Sequence, residues 1–199
     1  MINYEVFLAL MLYYFVMYVT PGPNNAMVLT SGLKFGFQKT ITHIFGITFG
    51  HIIQLIFVCF GLGQVFILFP DVQIVLKYIC AIYILYLGYK ILGSINPIID
   101  DGSRPLKLYE AALFQIVNPK AWTISSMAAS GFLQINDNLG IAILIIASTA
   151  LVICPLSITP WAMFGAAIRQ IVKNKNIKTI IEYSLALFLL ITAILIVYN

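Results

Sequence analysis

The sequence predicts an all-α integral membrane protein: six transmembrane helices arranged as two inverted three-helix repeats, with helices 1 and 4 broken near the bilayer midplane. Three observations carry that expectation. Of 199 residues, 61% are hydrophobic and only 9% are charged, against about a quarter charged in soluble domains, and the mean hydropathy is +0.99. The apolar residues fall into six segments, each long enough to cross about 30 Å of hydrocarbon as a helix. Two of those segments carry proline-centred interruptions, "TPGPNN" at 20–25 and "NPKAW" at 118–122. The connections are too short for a soluble domain, so the chain reads as one membrane domain with a first repeat over about 1–97 and a second over about 98–199.

The segments run over about 5–33, 41–69, 73–95, 108–133, 139–168 and 178–198. The first has no basic residue before Lys34 and no small-residue cleavage site, so it reads as a mature span rather than a signal peptide. In the second, Gly46, Gly50 and Gln54 share one face. Small residues four apart favour close helix packing, with Gln54 the candidate to reach a cavity. The third contains Cys80, and the fifth contains Pro155 and Pro160, read as helix kinks. The connections "KFGFQK", "FPDVQ", "NPIIDDGSRPLK", "LQINDN" and "RQIVKNKNIK" separate them, with Asp100 and Asp101 marking a solvated turn.

Charge orients the bundle. Lys34 and Lys39 belong to the first connection, Lys90, Arg104 and Lys107 to the third, and Arg169, Lys173, Lys175 and Lys178 to the fifth, nine of the eleven basic residues. The second connection holds Lys77 with Asp71, and the fourth only Asp137. By the positive-inside rule the odd-numbered connections are cytoplasmic, and both termini lie outside the cytoplasm.

Aligning Pro21 with Pro119 offsets the halves by 98 residues, and the same offset carries the start of the second segment to that of the fifth. Three spans per half is an odd number, so the second half enters the membrane upside down. Matched broken helices in two inverted halves point to the midplane solute site of a secondary transporter. Pro21, Pro23 and Pro119 cannot donate to the carbonyls of Met17, Val19 and Gln115. Bare carbonyls in hydrocarbon cost several kcal/mol, so these must face protein or a watery cavity. Gly22 permits a bend or a close approach, and Asn24, Asn25 and Asn118 add amides that donate and accept. Each half-helix that begins beyond a break favours a carboxylate, and the freed carbonyls suit an ammonium. Such a site fits a zwitterion.

Lys120 is the sharpest candidate. A lysine at a helix centre costs about 2.5–3.5 kcal/mol on insertion scales, so it must face a cavity, bind free carbonyls or meet an anionic solute group. Tyr14, Tyr18, Pro21 and Asn25 form one helical stripe, read as aromatic packing or as a polar wall leading to the break. His51, near mid-depth, is a buried histidine or a carrier of a coupling proton. His43 is expected at the cytoplasmic interface, and Glu5, Glu110 and Glu182 near span ends where water is close. Trp122 follows the second break and is a candidate to pack over a solute, whereas Trp161 reads as an interfacial anchor.

"TPGPNNAMVLTSGLKFGFQKTITHIFGITFGH", "LKYICAIYILYLGYKI" and "NPKAW", in this order, resemble the LysE/RhtB family of bacterial amino-acid exporters over nearly the whole chain. The Pro-Gly-Pro and Asn-Pro-Lys runs are the most specific parts, supported by Gly32, Gly36, Gly46 and Gly50 and by the Tyr-Leu-Gly-x-Lys stretch at 86–90. The resemblance implies a multi-pass protein of the bacterial inner membrane that exports amino acids or close derivatives against a proton gradient, and a homodimer. It places Pro21, Gly22, Pro23, Asn118, Pro119 and Lys120 at the family's motif positions. Cys80 stands where the resemblance leads one to expect a glycine.

Other functions have less support in the residues. Efflux of a metal or toxic cation is the nearest alternative, but two histidines, three dispersed cysteines and no midplane carboxylates offer few ligands. A membrane thiol oxidoreductase needs reactive cysteines at the breaks, and Cys59, Cys80 and Cys154 stand alone without a C-x-x-C pair. No constellation for hydrolysis falls near mid-depth, so no enzyme, cofactor, metal or nucleic-acid partner is expected. The expected partners are a small amino-acid solute and the lipid bilayer.

Overall fold

The computed structural model describes residues 4–62, 68–92, 104–133, 138–171 and 175–198. Among them all regular structure is helical: α1 (Tyr4–Val19), α2 (Pro23–Phe35), α3 (Phe37–Phe57), α4 (Pro70–Ile91), α5 (Leu108–Val117), α6 (Pro119–Phe132), α7 (Leu139–Ile171) and α8 (Lys175–Tyr198). Proline opens α2, α4 and α6, where its missing N–H has no intrahelical use. Between α2 and α3 the chain turns at Gly36, whose φ of 85° favours glycine. The Glu110 carboxylate fixes the first turn of α5, accepting from the Lys107 backbone N–H at 2.8 Å and from both arms of Arg104 at 2.7 and 2.6 Å.

The expected interruptions are present. α1 and α2 are bent by 55° across residues 20–22, and α5 gives way to α6 at Asn118. Three described helical stretches, Phe37–Gly61, Leu139–Arg169 and Thr179–Tyr198, are long and apolar enough to cross a membrane, and the α1–α2 pair makes a fourth. Ile74–Tyr89 and Leu108–Val117 are shorter apolar helices. Pro155 and Pro160 both lie inside the continuous α7. The second segment, expected to reach residue 69, leaves regular α-helix at Phe57 and continues as a widened π turn, Val58–Leu62. The solvated turn expected at Asp100 and Asp101, with Asp137 and Lys173, lies outside the described residues.

Packing pairs α2 and α1 with α7, α3 with α5, and α4 with α8. Small residues set the separations: Gly32 lies against Ala162, Gly165 against Leu29, Gly46 against Leu108 and Gly50 against Ala112. A Cβ on Gly50 would sit 2.5 Å from Ala112 Cα, so this contact requires a residue without one. Leu10, Tyr14, Val28, Ile47, Ile146 and Ile158 belong to the central apolar cluster. Large apolar residues such as Phe15, Phe49, Ile53, Val152, Leu156 and Leu187 stand exposed on the outside. This inside-out distribution is what a membrane protein needs.

Two residues expected near span ends are shielded by the bundle. His43 lies within two turns of the start of α3 and is buried toward α2 and α4. Glu182 falls in the first turn of the apolar stretch Thr179–Tyr198 and is also buried.

Candidate functional site

At the first break Pro21 and Pro23 release acceptors, and the structure supplies a donor to each. Met17 O accepts the Thr20 hydroxyl at 3.1 Å. Val19 O accepts Asn25 Nδ2 and Trp161 Nε1, both at 3.2 Å. Asn25, buried beneath the bend, also donates to Tyr18 O at 3.0 Å and Thr20 O at 2.8 Å. One amide thus caps the carbonyl end of α1, as orphan acceptors at a helix terminus require.

The second break follows the same logic. Asn118 precedes a proline and takes the extended conformation (φ −82°, ψ 105°) that its neighbour imposes. Its Oδ1 caps α6 by accepting the Lys120 N–H at 3.1 Å. Gln115 O, freed by Pro119, accepts Gln54 Nε2 at 3.0 Å. Ile116 O accepts Trp122 Nε1 at 2.8 Å.

The two breaks are joined directly. Lys120 Nζ donates to Thr20 O at 2.7 Å, Thr20 Oγ1 at 2.8 Å and Pro21 O at 3.2 Å. Gly22 makes room for this side chain: a Cβ there would lie 2.7 Å from Lys120 Cδ. The backbone at Gly22 is simply extended (φ 178°), so space rather than conformation calls for glycine. Beside the lysine, Asn24 and Gln115 exchange two hydrogen bonds of 2.9 and 3.1 Å. Asn118 Nδ2 adds a third, to Asn24 Oδ1 at 3.0 Å.

A cavity of about 600 Å³ opens on this junction, bounded by Pro21, Gly22, Pro119 and Lys120 on one side and by Ile74 of α4 and Ile191 of α8 on the other. Thr123 and Thr192 contribute hydroxyls to it, and Lys77 is its second cation. A pocket of about 20 Å³, the size of one water, lies behind the junction among Tyr18, Asn24, Asn25, His51 and Asn118. Among the described residues no carboxylate side chain lines either space. The N-termini of α2 and α6 and the Lys120 ammonium make the junction electropositive, while its carbonyls are turned toward that ammonium. Among the described residues no three of His, Cys, Asp and Glu come together as a metal site would need.

The candidates therefore occupy distinct places. Pro21, Gly22, Pro23, Pro119 and Lys120 face the large cavity. Asn24, Asn25 and Asn118 bind one another's surroundings and the backbone. Tyr18 stacks on Tyr14, and His51 meets Tyr18 edge-on, each pair with 5.4 Å between centroids. His51 Nε2 has no hydrogen-bond partner among the described residues. Gln54 reaches the second break, where its amide donates to Gln115 O.

Sequence reading missed Gln115 and Thr20 as participants. Gln115 lies three residues before Asn118, on the same helix face; an amide so placed in an apolar segment was the available signal. Trp161, expected as an interfacial anchor, instead donates to Val19 O and stacks on Phe188. A carbonyl freed at the break draws its N–H inward. Trp122 turns its N–H to Ile116 O.

Comparison with known proteins follows this geometry. A family model described as LysE type translocator matches residues 15–199. The chain is 29% identical over 135 residues to a cysteine/O-acetylserine efflux protein of Salmonella typhimurium (strain LT2), covering 64% of this chain and 68% of that protein. It is 26% identical over 169 residues to a leucine efflux protein of Enterobacter sp. (strain 638), covering 81% and 80%. Identity to the cysteine/O-acetylserine efflux protein of Escherichia coli (strain K12) is 30% over 117 residues, covering 57% and 58%. No solved structure matches.

Proposed function

The chain belongs to the LysE type translocator family, and from that premise we propose that it is a secondary transporter exporting amino acids or related small zwitterionic solutes from the cytoplasm. Two kinds of support meet. Relatives are named as efflux proteins for cysteine, O-acetylserine and leucine, and the junction offers opposite partial charges within one solute's length. The single observation that carries the mechanism is the Lys120 ammonium held by Thr20 O and Pro21 O at the edge of the 600 Å³ cavity.

In that resting arrangement Lys120 occupies the place suited to a solute's ammonium. An arriving amino acid places its own ammonium on the Thr20 and Pro21 carbonyls. Lys120 is thereby released toward the solute's carboxylate, which the N-termini of α2 and α6 also favour. Because the solute bridges both breaks, its binding alters how the two halves meet, the differential contact that a change of access requires. The halves are the inverted repeats over about 1–97 and 98–199, each contributing three of six spans. The pairing of α1 and α2 with α7, and of α5 with α3, supports this, since exchanging first with fourth and second with fifth spans maps one pair onto the other. Orientation follows the positive-inside rule, with both termini outside the cytoplasm of a bacterial inner membrane. His51, lining the small pocket with Lys120, is the group placed to carry a coupling proton. The homodimer belongs to the family resemblance.

The test is uptake of a panel of labelled amino acids into inverted vesicles, with and without a proton gradient. Gradient-dependent uptake of one class is expected, abolished in Lys120→Met and in Pro21→Ala while both proteins still reach the membrane. Unimpaired uptake by both variants would falsify the site.

A further inference from the structure

We propose that the solute's side chain rests in an apolar recess formed by Ile74 of α4 and by Ile191 and Leu195 of α8, so that this chain prefers aliphatic amino acids of about the size of leucine. The inference rests on the export reading and adds where the rest of the solute goes once its ammonium and carboxylate are held at the junction. Two of the directions that leave the junction are closed. Behind it lies the pocket of about 20 Å³, room for one water and not for a side chain. Beside it, Asn24, Gln115 and Asn118 are bound to one another by hydrogen bonds of 2.9, 3.1 and 3.0 Å, and parting them would leave amides unsatisfied. Ahead of it is the cavity of about 600 Å³. A substituent on the solute's Cα therefore extends into that cavity.

The far wall of the cavity is one stripe of α8 with Ile74 beside it. Phe188, Ile191, Thr192 and Leu195 line it, at the i, i+3, i+4 and i+7 positions of a single helix face. Thr192 turns its hydroxyl to its own helix, donating to Phe188 O at 2.8 Å, so the stripe keeps its donor to itself. Phe188 stacks on Trp161 with 6.0 Å between centroids, and the Trp161 N–H binds Val19 O at the first break. One end of the stripe is thereby tied to the junction. Ile74, Ile191 and Leu195 are 49%, 48% and 54% exposed, so they have apolar surface left for a ligand to cover, and covering it favours methyl and methylene groups.

Polar side chains fit this wall less well. An amide or carboxylate laid against Ile74, Ile191 and Leu195 gives up water and meets only aliphatic carbon there. On the junction side, the Thr123 hydroxyl is likewise turned back, to Pro119 O at 3.1 Å. Lys77, one turn along α4 from Ile74, lines the same cavity and is the competing attraction, for an acidic side chain.

The experiment measures binding and transport separately. Purified full-length protein in detergent is titrated with L-leucine, L-alanine, L-serine and L-glutamate, reading the shift of its thermal transition. The same four, labelled, are offered to inverted vesicles bearing a proton gradient. L-leucine is expected to bind, and to be taken up with a kcat/KM about tenfold or more above that of L-alanine, as lost methylenes in an apolar pocket imply. Ile191→Trp, which fills the recess, is expected to reverse the order by keeping alanine and losing leucine, and continued alanine uptake shows that the variant is folded. Ile191→Ala is expected to lower leucine uptake several-fold with alanine unchanged. Leu187→Trp, at a 56% exposed position on the outside of the same helix, is the control for bulk toward lipid and keeps the wild-type order. Equal handling of leucine and alanine, a preference for serine or glutamate, or an order unmoved by both Ile191 variants would overturn the recess and leave export standing. Equal effects of Leu187→Trp and Ile191→Trp would overturn it too, since the stripe would then meet only lipid. Leucine binding that is lost in Ile191→Trp, with no uptake of any of the four, would support the recess and tell against the export reading. Neither binding nor uptake of any of them would overturn both.

Discussion

Lys120 shows how a cation is kept inside an apolar bundle. Three acceptors from the opposite break surround its ammonium, and the alkyl stem passes over Gly22. At the 98-residue offset, Gly22 is the counterpart of Lys120, so the two halves differ at the one position where a second side chain would collide. Asn25 has the complementary task of donating where the backbone cannot. Val19 O and Thr20 O retain Trp161 and Lys120 if its amide is lost, but Tyr18 O loses its side-chain donor. Asn25→Ala is therefore expected to cost about 1–3 kcal/mol, the price of one unsatisfied buried acceptor, read as an earlier thermal transition in detergent. Asn25→Asp is expected to recover none of it at neutral pH, because a carboxylate offers acceptors to acceptors. A transition unchanged in Asn25→Ala would remove the capping role.

At the scale of elements, α5 must hold the second break at a fixed distance from α3. Gly50 sets that distance against Ala112, and one turn further along α3 Gln54 binds Gln115 O. Gly50→Ala is expected to push α5 away, destabilise the protein by about 1–3 kcal/mol through overpacking, and lower transport several-fold by displacing Gln115. Gly131→Ala in α6, where an added Cβ meets nothing within 4 Å, serves as the control and leaves both measurements unchanged. Equal effects of the two substitutions would mean that α3–α5 contact does not position the break. The break positions were legible in the sequence because proline acts locally, through its missing N–H and its ring. The donors that repair the breaks were not, since Trp161 lies 142 residues from its acceptor in Val19 and no local pattern encodes that approach.

For the whole molecule, orientation is a prediction from charge alone. Tyr4→Cys and Tyr198→Cys, each in a background in which Cys59, Cys80 and Cys154 are replaced, are expected to react with an impermeant maleimide added to intact spheroplasts, and Lys39→Cys only after permeabilisation. The reverse pattern would invert the proposed direction of transport. A separate pocket of about 200 Å³ beside His43, Tyr83 and Leu87 and the large cavity beside Ile74 and Lys77 succeed one another along α4, with Cys80, Ala81 and Ile84 buried between them. That order depends on which faces of α4 are turned inward, and this helix is too uniformly apolar for sequence periodicity to reveal it.

By itself the sequence determined that the chain is helical and suited to lipid, and where its helices break, because composition and proline act through solvation and bonding within a few residues. It also marked Lys120 and the asparagines, since polar groups in such surroundings need partners. Only the tertiary structure decided which partners they have: that the lysine takes the opposite break's carbonyls, that Gln115 completes the amide cluster, and that His43 is buried beside a pocket. Those outcomes depend on distances between helices, which arise from packing across the whole chain.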